Sequence, residues 1–204
     1  MGDDRVILFI DYENMSRCAR SEFGVDGHFW PWQLGQLLVD RRNQRTDTAR
    51  SVLHQVRVYR GLPDARKQPE SNAKNQAQTA AWMTRCPEPE RLVVCRRPLR
   101  YPRAWGEPGA ERPQEKGVDV WLAVDLVQMT YRGEYDTAIV CSHDSDLAPA
   151  LDTVKAVTTV RHHLEVVAWA RSKRISYSDD PQLPWRHRLT RHDYDSIEDP
   201  VDYA

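Results

Sequence analysis

Two apolar runs in this chain each end in a group of acids. "DTAIVCSHDSDLAPAL" closes on Ser142, Asp144, Ser145 and Asp146, and "RVILFIDYEN" closes on Asp11 and Asn14. A carboxylate placed at the end of a buried strand is costly unless something pairs with its charge. A hard divalent cation does so with few carboxylates drawn from separate elements, because it keeps several of its waters. Two such ions about 3.5–4 Å apart can activate a water and stabilise the leaving oxygen of a phosphodiester. The chemistry expected of these residues is metal-dependent hydrolysis. Asp11 either supplies a ligand or caps the helix that follows. Asp146 is the natural cap of its own helix, and Ser142 either steadies a carboxylate or is an ordinary turn serine.

A third acidic segment, "EKGVDVWLAVDLVQMTYR", carries Lys116, Asp119 and Asp125 on one predicted helix over 115–132. Helical geometry separates the two acids by about 120° around the axis and about 9 Å along it. They cannot both reach one metal. Asp119, near the helix start and sharing a stripe with Lys116, Ala123 and Thr130, is the better ligand. Asp125 falls among Val118, Trp121, Leu122 and Met129, and is either a buried acid with a dedicated partner or a support for the site. Lys116 either binds a substrate phosphate or pairs with Asp119 or Glu115. The helix is apolar almost all round, which predicts a place between layers.

The elements that must position these acids alternate. Strands are predicted at 5–10, 54–60, 91–96, 137–142 and 164–170, and helices at 30–43, 71–85, 115–132 and 146–157. Such alternation implies a parallel sheet with helices on both faces, whose ligand site lies beyond the carboxyl ends of the strands where strand order reverses. Asp11 and Asp144 both stand at carboxyl ends, and they meet if the first and fourth strands are neighbours. Residues 98–115, with four prolines, form a long loop. Its Arg100, Arg103, Tyr101 and Trp105 interleave charge and aromatics, as a single-stranded nucleic-acid surface does; a linker is the alternative.

The chain has 204 residues, is 40% hydrophobic and 29% charged, and has a net charge of −1, which fits one soluble domain. The near-neutral charge hides basic stretches at 96–116 and 171–191 and an acidic stretch from Asp193 to Asp202. Four scattered cysteines, with no CxxC pair, argue against zinc or a disulfide framework. No stretch approaches the length of a membrane span, and the opening "MGDDRVILFID" lacks the positive region of a secretory signal. A cytoplasmic location without membrane association is expected, and the oligomeric state stays open. A P-loop is excluded by the lack of GxxxxGK[ST].

Together "FIDYEN", "EKGVDVWLAVDL" and "VCSHDSDLAPAL" resemble the NYN domain family of the PIN-like nuclease superfamily, over about residues 5–170 and in the same order. The resemblance implies a three-layer α/β/α fold with a five-stranded parallel sheet ordered 3-2-1-4-5. It implies a domain over 1–171 and an extension over 172–204, basic then acidic and partly irregular. It also implies Mg²⁺ or Mn²⁺ and cleavage of RNA more often than DNA. Carried over, Asp11, Asp119, Asp144 and Asp146 form the acidic site, with Asn14, Ser142, Lys116 and Asp125 in support and Arg100, Arg103 and His143 toward substrate. His143 stands where the family usually has glycine, and a positive φ there would strain it. The alternative reading keeps the fold as a nucleic-acid-binding or protein-interaction module with weak catalysis.

Overall fold

The first apolar run is the middle of a strand, β1 (Asp4–Asp11), with its side chains alternating between two cores. Val6, Leu8 and Ile10 enter one, and Ile7 and Phe9 the other. A strand covered on both faces has no solvent side, which is why its sequence is continuously apolar. In the computed structural model of the chain, residues 2–45, 49–157, 163–170 and 185–203 are described.

β1 lies at the centre of an all-parallel sheet with β2 (Ser51–Leu62), β3 (Leu92–Pro98), β4 (Thr137–Cys141), β5 (His163–Trp169) and β6 (Trp185–Leu189). The order is β3-β2-β1-β4-β5-β6. The sheet therefore has six strands, one more than the five expected. β6 escapes sequence reading because only two of its residues, His187 and Leu189, are buried, and both lie in a highly charged stretch. The other five strands keep the expected order, and β1 pairs with β4 from Val6↔Thr137 to Ile10↔Cys141.

Helices α1 (Tyr12–Phe23), α2 (Pro31–Arg45), α3 (Pro69–Arg85) and α6 (Arg191–Ile197) contribute to the core containing Ile10. Helices α4 (Val118–Arg132) and α5 (Ala148–Val157) contribute to the core containing Phe9. The sequence reading offers a helix after Asp11 only as something for that residue to cap, and gives it no bounds. Its buried residues, Tyr12, Met15, Ser16 and Ala19, do follow helical spacing, but Ser16 and Ala19 carry almost no hydrophobic signal. Gly24, at φ 68°, ends that helix in a left-handed cap, with its N–H donating to Arg20 O. α4 starts at Val118, not 115, and is not enclosed all round: Val120 is 59% exposed and Val124 44%.

The acidic tail is largely used by the fold. Thr190 caps α6 in a capping box with Asp193, which also pairs with Arg41. Asp199 is buried, accepting from Trp82 Nε1 at 3.2 Å and from Tyr203 Oη at 2.8 Å. Arg171, Lys173 and Arg174, counted with the second basic stretch, lie outside the described residues, as does the boundary at 171/172.

At the opposite end of the sheet from the acids, a buried ion network ties the strand starts together. Glu165 on β5 accepts from Arg42, from Arg45 at 2.5 Å and from His187 on β6 at 2.6 Å. Arg42 also donates to Asp4 Oδ2 at 3.1 Å and to Ser51 Oγ at 2.9 Å. The network joins α2, β1, β2, β5 and β6, and so fixes the edge strand in place.

Candidate active site

Asp11 both ends β1 and caps α1, so the two readings of this residue are compatible. Its Oδ1 accepts from Asn14 N at 3.3 Å, and its Oδ2 accepts from Ser142 Oγ at 3.1 Å. Ser142 directly follows β4, and its Oγ in turn accepts from Asp144 N at 3.1 Å. Asn14 closes the link from the other side, its Oδ1 accepting from His143 N at 2.8 Å. The adjacency of β1 and β4 thus becomes a set of side-chain bonds between the two motifs. Asp144, not Asp146, is the cap of the turn that follows: its Oδ1 accepts from Asp146 N at 3.0 Å at the head of a 3-10 turn over Ser145–Leu147.

Burial pushes the Asp11 carboxyl up to about 6; the Asp144 charge adds to this, while the bonds from Asn14 and Ser142 oppose it. A second carboxyl nearby behaves alike. Glu115 accepts from Gly61 N at the end of β2, yet burial, with the charges of Glu13 and Asp11 adding, pushes it up to about 7. Glu13 is held by Arg60 at 3.3 Å. Glu13 and Glu115 are acids that sequence reading did not assign to the site. The signal was present, since each sits inside a motif already singled out ("DYEN" and "EKGVD").

The four carried-over aspartates divide into two pairs. Asp11 and Asp144 are joined through Ser142, whereas Asp119 and Asp146 line a shallow groove of about 440 Å³ between α4 and α5. Among the described residues, no three His, Cys, Asp or Glu side chains form a ready-made metal cage. Lys116 is exposed at the head of this region.

Asp125 has the dedicated partners that its buried helix face required. Arg57 Nη2 and Tyr59 Oη, both on β2, each donate to its Oδ2 at 2.8 Å. This acid binds α4 to the sheet. Asp125→Ala is expected to cost about 2–3 kcal/mol by leaving the half-buried Arg57 without its carboxylate. Thermal melting measures that loss, and any catalysis below the melting point should change less than threefold.

His143 resolves without strain, because no described non-glycine residue has positive φ. Its Nε2 accepts from Trp169 N at 3.4 Å, and burial lowers its pKa to about 4, so the ring is neutral at pH 7. Arg100 and Arg103 are exposed on the 98–115 loop, which is pinned by an antiparallel bridge between Arg100 and Gln114 and by Tyr101 Oη donating to Gln68.

A groove of about 1370 Å³ opens beside Glu13 and Glu115, between α3, the 98–115 loop and the tail from Asp199 to Tyr203. Arg100 and Arg103 do not line it. Arg17, Arg20, Arg60, Lys74 and Arg112 do, with Trp105 from the loop. Apart from Arg112 and Trp105, these residues lie outside the stretches that charge counting picked out. They come from α1, β2 and α3, where single bases are dispersed and become neighbours only in the fold.

The sequence matches the family described as NYN domain over residues 5–174. It is 35% identical over 71 residues to "6-hydroxy-3-succinoylpyridine 3-monooxygenase HspA" of Pseudomonas putida, a match covering 35% of this chain and 23% of that protein. The chain thus spans about a quarter of the length of that relative. The crystal structure of a protein of unknown function from Vibrio parahaemolyticus shares the fold, with a TM-score of 0.53 and 14% identity over 83% of each chain. Among the described residues, no helix is long and apolar enough to cross a membrane.

Proposed function

The chain belongs to the NYN domain family, which is nuclease-like, and from that premise we propose that it is a metal-dependent endoribonuclease cutting at the carboxyl ends of β1 and β4. The observation that carries this reading is the joined pair Asp11–Ser142–Asp144, with Asp11 raised to about 6 beside further carboxylates. A carboxyl raised chiefly by burial, with a second carboxylate joined to it, marks a place built for a positive partner.

The donor set fits a hard cation. It consists of carboxylate oxygens from several elements, and Mg²⁺ takes only one or two of them while keeping water. Asp11 and Asp144 would hold it, with Asp119 and Asp146 contributing from the adjoining turn and helix. When bound, Mg²⁺ or Mn²⁺ supplies Lewis acidity toward the phosphoryl oxygens and a more acidic water. The chain's own residues supply the positioning. Ser142 Oγ fixes one Asp11 oxygen, the Asn14 amide fixes the loop through His143 N, and the Asp144 cap holds Asp146 at the head of the turn. Arg17, Arg20, Lys74 and Arg112 in the groove beside the acids offer a polyanionic substrate single cationic contacts.

The test is cleavage of end-labelled RNA and DNA with Mg²⁺, Mn²⁺ or EDTA. RNA cut internally with either metal and spared with EDTA is the expected result. Cleavage indifferent to EDTA, or no cleavage of either nucleic acid with either metal, overturns it. The partial match to a pyridine monooxygenase covers too little of either protein to carry its reaction here.

A further inference from the structure

Helix α4 is covered on one side only. Val118, Leu122, Leu126 and Met129 are buried in the core that holds Phe9. At 100° per residue, Val120, Val124, Val127 and Tyr131 form a stripe about 60° wide, centred almost diametrically opposite that buried face. Val120 is 59% exposed, Val124 44% and Tyr131 67%, and Val127 is half-buried. Among the described residues Trp185 is the other exposed large hydrophobic, and the Arg45 guanidinium faces its ring at 4.0 Å from the centroid. No charge interrupts the stripe on α4, whose rims are Ala123 and Gln128. Single exposed apolar residues are ordinary on a protein surface, whereas a continuous row of them marks a contact.

We propose that α4 is the contact helix of a homodimer, packed antiparallel against α4 of a second copy of this chain about a twofold axis. The stripe residues are four, three and four positions apart, which is the alternation of apolar sites along a two-helix seam. That spacing reads the same from either end. An antiparallel copy therefore brings Val120 level with Tyr131 and Val124 level with Val127, with no stripe residue left over. Charge favours the same arrangement. Lys116 and Asp119 stand at one end of α4, and Arg132 and Glu134 at the other. Antiparallel copies bring the base and acid of one to the acid and base of the other at both ends, whereas parallel copies set Lys116 against Lys116 and Asp119 against Asp119. Each Tyr131 then comes level with Val120 of the other copy, at the rim of the apolar groove that Val120, Val124 and Leu147 line between α4 and α5. The second copy supplies the second layer that a helix apolar almost all round calls for. The seam is about 17 Å long. One helix pair of that length covers less than the roughly 800 Å² per partner of a standard interface, so the association is weak and concentration-dependent. Asp119 lies about 100° from Val120 around the axis, off the seam, and the pairing does not depend on what the acids do.

Sedimentation equilibrium of the full chain from about 5 to about 500 µM tests this. The weight-average mass is expected to rise from that of one chain toward that of two. Val124→Glu and Val127→Lys, each checked for folding by thermal melting, should both stay at the mass of one chain throughout. Mixed in equal amounts, the two variants should regain the mass of two, because the antiparallel contact sets one substituted position against the other. Tyr131→Glu with Val120→Lys, at the two most exposed positions of the stripe, repeats the test if either of the first variants does not fold. Wild type that stays at the mass of one chain at the highest concentration overturns the proposal. So does pairing undiminished in a folded Val124→Glu chain, and so does a mixture of the two variants that remains single.

Discussion

Asp11→Asn is expected to remove cleavage and to make the protein more stable. The carboxyl sits in a buried position at the meeting of β1 and β4, raised from 3.8 to about 6 chiefly by loss of water. That shift corresponds to roughly 3 kcal/mol of disfavoured charge at pH 7, at about 1.4 kcal/mol per unit. Because the folded value lies above the unfolded one, the folded chain holds the proton more tightly. The cost is absent below about pH 4, grows between about 4 and 6, and is complete above that. Asparagine keeps the acceptor for Asn14 N and can donate to Ser142 Oγ, so it retains the bonds and loses the charge. In metal-free buffer at pH 7.5 the variant should unfold at higher denaturant than wild type, by about 1–3 kcal/mol, and at pH 4 the two should converge. Cleavage should fall on the order of 10²–10³-fold or more, the scale of losing a preorganised charged group. A variant that is less stable at pH 7.5 would contradict the electrostatic account of this residue.

The largest loss of stability is expected at the other end of the sheet. Glu165→Ala removes the carboxylate that Arg42, Arg45 and His187 share, and leaves the buried Arg42 without it. Breaking one side of a buried ion pair costs about 3–5 kcal/mol, a fall in melting temperature of roughly 6–20 °C for a chain of this size. Burial by itself would raise the Glu165 pKa, but the bond from His187 and the charges of Arg42, His187 and Arg45 outweigh it and hold the value below the usual range. Its contribution is therefore present above the unfolded glutamate value of 4.5 and lost as pH falls through the lower, folded one. Asp11 and Glu165 thus pull in opposite directions. Metal-free wild type should gain stability from pH 7 toward 5 and lose it below about 4, and Glu165→Ala should flatten only the acid side. Cleavage by Glu165→Ala, assayed below its melting point, should match wild type.

What was legible in the sequence follows from how each residue's environment is written into its neighbours. β1 and β4 are buried on both faces, so their runs are uninterrupted and their carboxyl ends, with Asp11, Ser142 and Asp144, could be located directly. The placement of Asp125 followed from helical angle alone, and its partners Arg57 and Tyr59 bear it out. β6 was missed, and α1 could not be bounded, because each buries few strongly apolar residues. In β6 the alternation is reduced to His187 and Leu189. Glu13 and Glu115 were missed for a different reason. The coupling of Glu115 to Glu13 and Asp11 depends on the 98–115 loop returning its last residue to Gly61 at the end of β2, a contact between positions 54 residues apart. The groove is hidden in the same way, since its bases come one or two at a time from separate elements. His143 is unremarkable once the backbone is known, because its position needs no left-handed conformation.

The central claim is that the acids linking β1 to β4 cut RNA. The most direct test is single-turnover cleavage of labelled RNA with Mn²⁺ by the full chain, comparing wild type, Asp144→Asn and Asp125→Asn at one temperature well below all three melting points. The account predicts that Asp144→Asn falls to the uncatalysed baseline while Asp125→Asn keeps a rate within about threefold of wild type, as expected of a group that only braces the scaffold. Cleavage by Asp144→Asn at the wild-type rate would contradict it.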